Sequence, residues 1–418
     1  VGVHILYHHR TTGQDAQGIH IREILHAFAE LGHTTELVSF AERRRGAAPA
    51  EARSRPSKPA TAAAGPAGPE RFGWLQRLRN LAWVYECAEI AYNVWGIWAL
   101  WRAIRERRPA LLYERYSLYN ISGVVASRLW KIPLVLEVNA PLAYEKETYE
   151  KLAFRRLAYA AERWICSRST ATIVVSTPMR EILAAQGVPW EHMTVISNGV
   201  DMPAIQAALG TIDVRQRYGL GDKLVLGFVG WFKPWHRLDA VLRLLAARPA
   251  WRDRVHVLLV GDGPEAEPLR HLAHDLGVES DVTITGAVSH ELVFDYIDAF
   301  DIALQPHVTE YASPMKIFEY LALGKCVVAP DLPNIREILS PGEDALLFRA
   351  GDAADMARAI EALAQDPQRV RAMGQGARRK VDARQYAWIE NARRALRLVG
   401  LEGDAGTPAP EGAAVAVH

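Results

Sequence analysis

Short apolar runs alternate with stretches of helical periodicity along most of this chain. "VHILYH" reads as a strand, "GIHIREILHAFAELGH" as a helix ending at Gly32, and "TTELVSF" as the next strand. "PALLYERY", "IPLVLEVNA" and "ATIVVST" continue the series, with helical segments between them. Strands that are apolar throughout, rather than on alternate residues, are buried on both faces; interleaved helices supply the cover, which predicts a parallel sheet. "VISNGVDMP" reads as a strand end and a turn, and a second series follows it. Its strands are "KLVLGFVG", "VHVLLVG", "VTITG", "DIALQP", "CVVAP" and "ALLF", with helices such as "PEAEPLRHLAHDLG" and "SHELVFDYIDAF". The expected fold class is α/β, with two doubly wound, Rossmann-like parallel-sheet domains facing a central cleft. A ligand is expected at the carboxyl ends of the strands.

The pattern divides the chain into a domain over 1–200, a second over 201–382, and a last helix over 383–401 that is expected to pack back on the first domain. The tail 402–418 reads as disordered. Residues 41–71 hold no large apolar side chain and carry seven basic against three acidic residues, so they read as a solvated, disordered insertion. Of the 12 tryptophans, five (Trp74, Trp83, Trp95, Trp98 and Trp101) fall close together. The stretch 74–108 fits two readings: a core helix that packs with tryptophan, or an amphipathic helix on an anionic membrane. In the second, Arg102, Arg105, Arg107 and Arg108 turn towards lipid.

Composition narrows the function. The 418 residues are 50% hydrophobic with a formal net charge of +1, which argues against a nucleic-acid partner. The three cysteines, Cys87, Cys166 and Cys326, show no pairing or metal spacing, and a reducing, cytoplasmic setting is expected. No charged and then apolar leader is evident at the start, and no apolar run reaches 18 residues.

The segment "EYASPMKIFEYLALGKCVVAP" concentrates chemistry. Ser313 reads as a helix cap and Pro314 as the first helical residue. A helix start at the carboxyl edge of a sheet is an anion site, and Lys316 adds a point charge for phosphate. Glu319 lies further along and is able to accept two hydroxyl hydrogen bonds, as a ribose diol requires. A plain surface Lys–Glu pair three residues apart accounts for the same spacing.

With its neighbours, this segment resembles the donor site of retaining glycosyltransferases of family 4, which have the GT-B fold. The resemblance extends to "ISNGVD", "FVGWFKPWHRLD" and "VGDGPE". It also takes in "NIREIL" and "GEDALLF". "YHHRTTGQDAQGIHIREILHAFAELGHTTELV" and "LLYERYSLYNISG" resemble members that build cell-surface polysaccharides.

The family implies a nucleotide-diphosphate sugar donor of UDP or GDP type and a saccharide or lipid-linked acceptor. Glu319 matches the second glutamate of its paired motif, the ribose contact. Tyr311 stands where the first glutamate, a sugar contact, is expected. Trp231 and His236 occupy the positions of the usual Arg and Lys of the diphosphate clamp, and Lys233 is near enough to substitute. The residues expected nearest the chemistry are therefore His236, Lys233, Lys316 and Asn139. Donor contacts are expected from Ser313, Pro314, Met315, Lys316, Glu319, Gly230 and Gly18, with Gly286 and Val288 framing the base. Gly13 and Gly18 are read as flanking the loop after the first strand. Arg115, Glu137 and Asn139 are expected on the acceptor side.

No Asp-x-Asp occurs, so no metal and no cofactor are expected. Retention comes from the resemblance, and no nucleophile is assigned. The expected place is the cytoplasmic side, at the inner membrane face. Two alternatives share the fold: a sugar-nucleotide epimerase and a non-catalytic sugar-nucleotide-binding protein. An oxidoreductase is a more distant one, from the dinucleotide-like fingerprint Gly261, Gly263 and Ala266.

Overall fold

Parallel pairing of the apolar runs builds two six-stranded sheets. In the computed structural model, the described residues are 2–10, 16–39, 82–252, 254–384 and 386–402. The insertion 41–71, Trp74, Gly13 and all but the first residue of the tail lie outside them. The described residues form two compact units. One holds those up to 174, with 180–194 and 392–402; the other holds 175–179 and 195–391.

The first sheet contains β1 (His4–His9), β2 (Thr34–Ser39), β3 (Leu111–Arg115), β4 (Leu134–Val138), β5 (Ala171–Val174) and β6 (Met193–Val195). Its order is β2-β1-β3-β4-β5-β6. The order reverses beside β1, so the loops after β1 and β3 diverge there. Register then decides which polar residues meet. His8 lies opposite Glu114 across β1 and β3, and Arg115 lies opposite Glu137 across β3 and β4.

The second sheet contains β7 (Leu224–Val229), β8 (Val255–Val260), β9 (Val282–Ile284), β10 (Ile302–Leu304), β11 (Cys326–Pro330) and β12 (Ala345–Phe348). Its order is β12-β11-β10-β7-β8-β9, the doubly wound order with β7 as first strand. The reversal falls between β7 and β10. Two apolar cores cover its faces, one around Phe300, Ile317, Phe318 and Leu321, the other around Phe228, Leu242 and Leu259.

Gly227 illustrates how tightly the first of these packs. A Cβ there would stand 2.1 Å from ring carbons of Phe300, itself buried. Overpacking of this kind costs about 1–3 kcal/mol. Gly227→Ala is therefore expected to lower the stability of this unit by that amount, seen as a lower urea midpoint with an unchanged slope; an unchanged midpoint would show that the ring gives way freely.

Candidate active site

In the C-terminal unit, the reversal of strand order places two loops side by side: residues 230–237 after β7 and 305–314 after β10. The second loop feeds the helix Met315–Ala322. That helix starts one residue later than the sequence suggests. Pro314 occupies the cap position and no side chain caps it. Ser313 is a correction to the sequence reading. It is buried, and its hydroxyl accepts the Asn198 backbone N–H at 3.2 Å, while its carbonyl accepts the Asn198 side-chain amide at 2.6 Å. The "SNG" turn has claimed it, so Ser313 anchors the loop and leaves the first-turn N–H groups of Met315 and Lys316 without a cap. At the other end Gly324, with φ of 64°, closes the helix, and Lys325 N–H reaches back to the Tyr320 carbonyl at 2.9 Å.

Lys316 points inward. Its ammonium lies 4.0 Å from the centroid of the Phe228 ring. It also lies 3.0 Å from where a Cβ of Gly230 would be, a tight approach that the end of the lysine would have to yield to, and the φ of 145° at Gly230 is what favours glycine there. The ammonium has no hydrogen bond among the described residues. Burial pulls its pKa from 10.5 down to about 7, against the opposing pull of Glu319. The sign for stability follows from linkage. The unfolded chain binds the extra proton between about 7 and 10.5, so this burial costs stability in full below about 7 and progressively less as pH rises to 10.5.

His236 ends a short 3₁₀ turn, Pro234–His236. Its Nδ1 accepts the Lys233 backbone N–H at 3.3 Å, which leaves Nε2–H as a donor. Burial, then the charges of Lys316, His307 and Lys233, push its pKa down to about 2, so the ring is neutral at ordinary pH. The Lys233 ammonium lies 5.2 Å from the Trp235 ring centroid. Trp231 and Trp235 are exposed. His307 is a residue that the sequence does not single out. It stands in the loop after β10, and its Nδ1 and the Gln305 Oε1 are buried without a hydrogen-bond partner among the described residues. Its one signal is its position, three residues past a strand at the reversal point.

Glu319 lies one turn along the helix from Lys316 and is half-buried. Tyr311, at the place of the absent glutamate, is buried, and its carbonyl accepts the Ser176 hydroxyl at 2.7 Å. Gly286 and Val288 follow β9, at the sheet edge. The Gly286 carbonyl accepts the Thr285 hydroxyl at 2.8 Å, and the Val288 side chain packs against the core. The fingerprint glycines serve packing. A Cβ on Gly261 would stand 2.0 Å from the Gly230 carbonyl oxygen, and one on Gly263 2.5 Å from the Phe232 nitrogen. They let the loops after β7 and β8 pack backbone to backbone, and they follow the second strand of the unit, not the first.

In the N-terminal unit, Glu137 gathers a second cluster. Its carboxylate accepts the Tyr113 hydroxyl at 2.8 Å, Arg115 at 3.1 Å and the Asn139 amide, and His20 Nε2 lies 3.4 Å away. Burial alone would raise its pKa; His20, Arg115, Asn139 and Tyr113 outweigh that and hold it below the usual range. Arg115, Glu137 and Asn139 are thus brought together, and His20 joins them unforeseen, from the helix Ala16–Glu30. Gly18 falls within the first turn of that helix rather than ahead of it, because the helix begins at Ala16. Beside this cluster, His8 Nδ1 bonds the Glu114 carboxylate and its Nε2 lies 3.1 Å from the Tyr92 hydroxyl.

The model of Glycosyltransferase Family 4 matches residues 17–202, and that of Glycosyl transferases group 1 matches residues 223–366. The D-inositol 3-phosphate glycosyltransferase of Thermomonospora curvata is 28% identical over 315 residues, 69% of this chain and 70% of that enzyme. The 2-deoxystreptamine glucosyltransferase of Streptomyces kanamyceticus is 27% identical over 257 residues, 59% of this chain and 65% of that enzyme. Among solved structures, Anabaena Alr3699/HepE in complex with UDP superposes with a TM-score of 0.68 at 18% identity, covering 94% of this chain and 98% of that one. Two family models that together span most of the chain, and a fold shared with the known structures, place it among the glycosyltransferases of family 4 with the GT-B fold.

Proposed function

We propose that this glycosyltransferase moves a sugar, with retention of configuration, from a nucleotide-diphosphate donor of UDP type to a lipid-linked saccharide. One observation carries the donor half: a desolvated ammonium, Lys316, at an uncapped helix start, with no hydrogen-bonded partner among the described residues. A group in that condition favours an anion. UDP in the HepE structure, a protein of the same fold, supports the nucleotide.

As the sugar–phosphate bond breaks, negative charge develops on the departing diphosphate. Lys316, the Met315 and Lys316 N–H groups and the neutral His236 Nε2–H are donors suited to stabilise it. Glu319 accepts the ribose hydroxyls. Lys233, whose charge is felt at His236, adds a further cation beside the diphosphate. Tyr311 packs into the unit, so the sugar is held without the first glutamate of the family pattern. On the acceptor side, the fully engaged Glu137 positions Arg115 and Asn139, and those two contact the acceptor. All its oxygens have partners, which suits a substitution on one face of the sugar without a carboxylate nucleophile. The two curated relatives are named for soluble ring acceptors, inositol 3-phosphate and 2-deoxystreptamine. A soluble cyclitol is accordingly the second acceptor to assay.

Affinity for UDP-glucose, whose diphosphate has no proton titrating near neutrality, is expected to fall as pH rises above about 7, because Lys316 loses its proton there. Titration calorimetry should show the fall in wild type and a weak, flat profile in Lys316→Met. A profile unchanged by that substitution would remove Lys316 from the diphosphate site. Glu319→Ala should weaken the same ligand by about ten- to a hundredfold, the worth of hydrogen bonds to a charged group. Turnover with a lipid-linked saccharide should persist in excess chelator, as the missing Asp-x-Asp leads us to propose; loss of turnover reversed by a divalent ion would overturn metal independence.

A further inference from the structure

The helix Ala82–Arg107 has its polar side inward over its first four turns. Its buried positions are Glu86, Asn93 and Gly96, followed only later by Leu100, Ala103 and Ile104. The Glu86 carboxylate accepts the Tyr119 hydroxyl at 2.6 Å and the backbone N–H groups of Ala153 and Phe154 at 2.5 and 3.0 Å. The Asn93 amide donates to the Ile90 and Tyr119 carbonyls, and its oxygen accepts the Ile121 N–H and the Ser122 hydroxyl. These bonds fix the rotation of the helix about its axis. Turning it to bury more tryptophan would strip a buried carboxylate and a buried amide of their partners.

The outward side is correspondingly apolar. Trp83, Ile90, Val94 and Trp101 are 47%, 37%, 79% and 38% exposed, and Trp98 is 42% exposed. Residues 83, 90, 94 and 101 lie on one line, five turns and about 27 Å long. No acidic residue interrupts that line. At its C-terminal end Arg102 pairs with Glu106 and Arg107 with Glu36. Arg105 lies over the Trp101 ring at 5.1 Å, and neither it nor Arg108 has an acidic partner among the described residues.

We propose that this stripe docks on an anionic lipid surface, with the helix lying in the membrane plane. Tryptophan suits the headgroup level, aliphatic side chains the acyl boundary, and unpaired arginines the anionic headgroups. Among the described residues no helix is long and apolar enough to cross a membrane, so this contact is peripheral. The inference rests on the helix and stands apart from the identity of the acceptor.

The test is co-sedimentation of the full chain with phosphatidylcholine vesicles, with and without an equal part of phosphatidylglycerol. Binding is expected to the mixed vesicles, weakened by salt, and weak to phosphatidylcholine alone. Val94→Asp, at the most exposed position of the line, should lower partitioning at least about tenfold. It should leave the thermal midpoint and UDP-glucose binding unchanged. Absence of binding to the mixed vesicles, equal binding to both kinds, or full binding by Val94→Asp would overturn the proposal. So would a dimer in light scattering that Val94→Asp converts to monomer, because a second copy would then cover the stripe.

Discussion

An ammonium taken out of water and set against an aromatic ring organises the C-terminal unit. Lys316 lies over Phe228, and a side chain at 230 would crowd its ammonium. His236 stays neutral because burial and the adjacent cations penalise a further charge, and it is oriented as a donor by the N–H it accepts. The helix start stays uncapped because Ser313 is committed elsewhere. In a medium less polar than water each of these donors attracts an anion more strongly than it would at the surface.

The N-terminal unit uses the opposite sign at its centre. A buried carboxylate, Glu137, draws Arg115, His20, Tyr113 and Asn139 around itself. Its burial is tolerable because it is fully hydrogen-bonded, and removal of one partner would leave a charge only partly compensated. In both units the polar groups gather at strand ends. A parallel sheet covered by helices on both faces leaves its polar residues only there.

The strands are legible in the sequence because a continuous apolar run of five or six residues has little other use in a globular chain. The reversal of strand order makes the loops at 230 and 310 the places to look. Particular residues mislead for a common reason: a short polar side chain is able to satisfy several backbone groups, and sequence distance does not say which. Ser313 reads as a cap and bonds Asn198 instead. Gly261 and Gly263 fit a nucleotide fingerprint and serve loop packing. His20 and His307 do not stand out, since each is a lone polar residue whose companions come from other strands and helices. The helix Ala82–Arg107 keeps both readings open because apolar and polar residues alternate on it in a way that does not tell inside from outside.

By itself the sequence determined the element order, the two-sheet architecture and the family, because hydrophobic periodicity and short motifs are local properties of the chain. It also singled out Lys316 and Glu319, whose spacing on one helix is set by the helical repeat. Only the tertiary structure decided the charge state of Lys316 and of His236, the company of Glu137, and which side of the tryptophan-rich helix meets solvent. Each of those depends on desolvation and on hydrogen-bond partners many residues away, and these exist only once the chain has closed on itself.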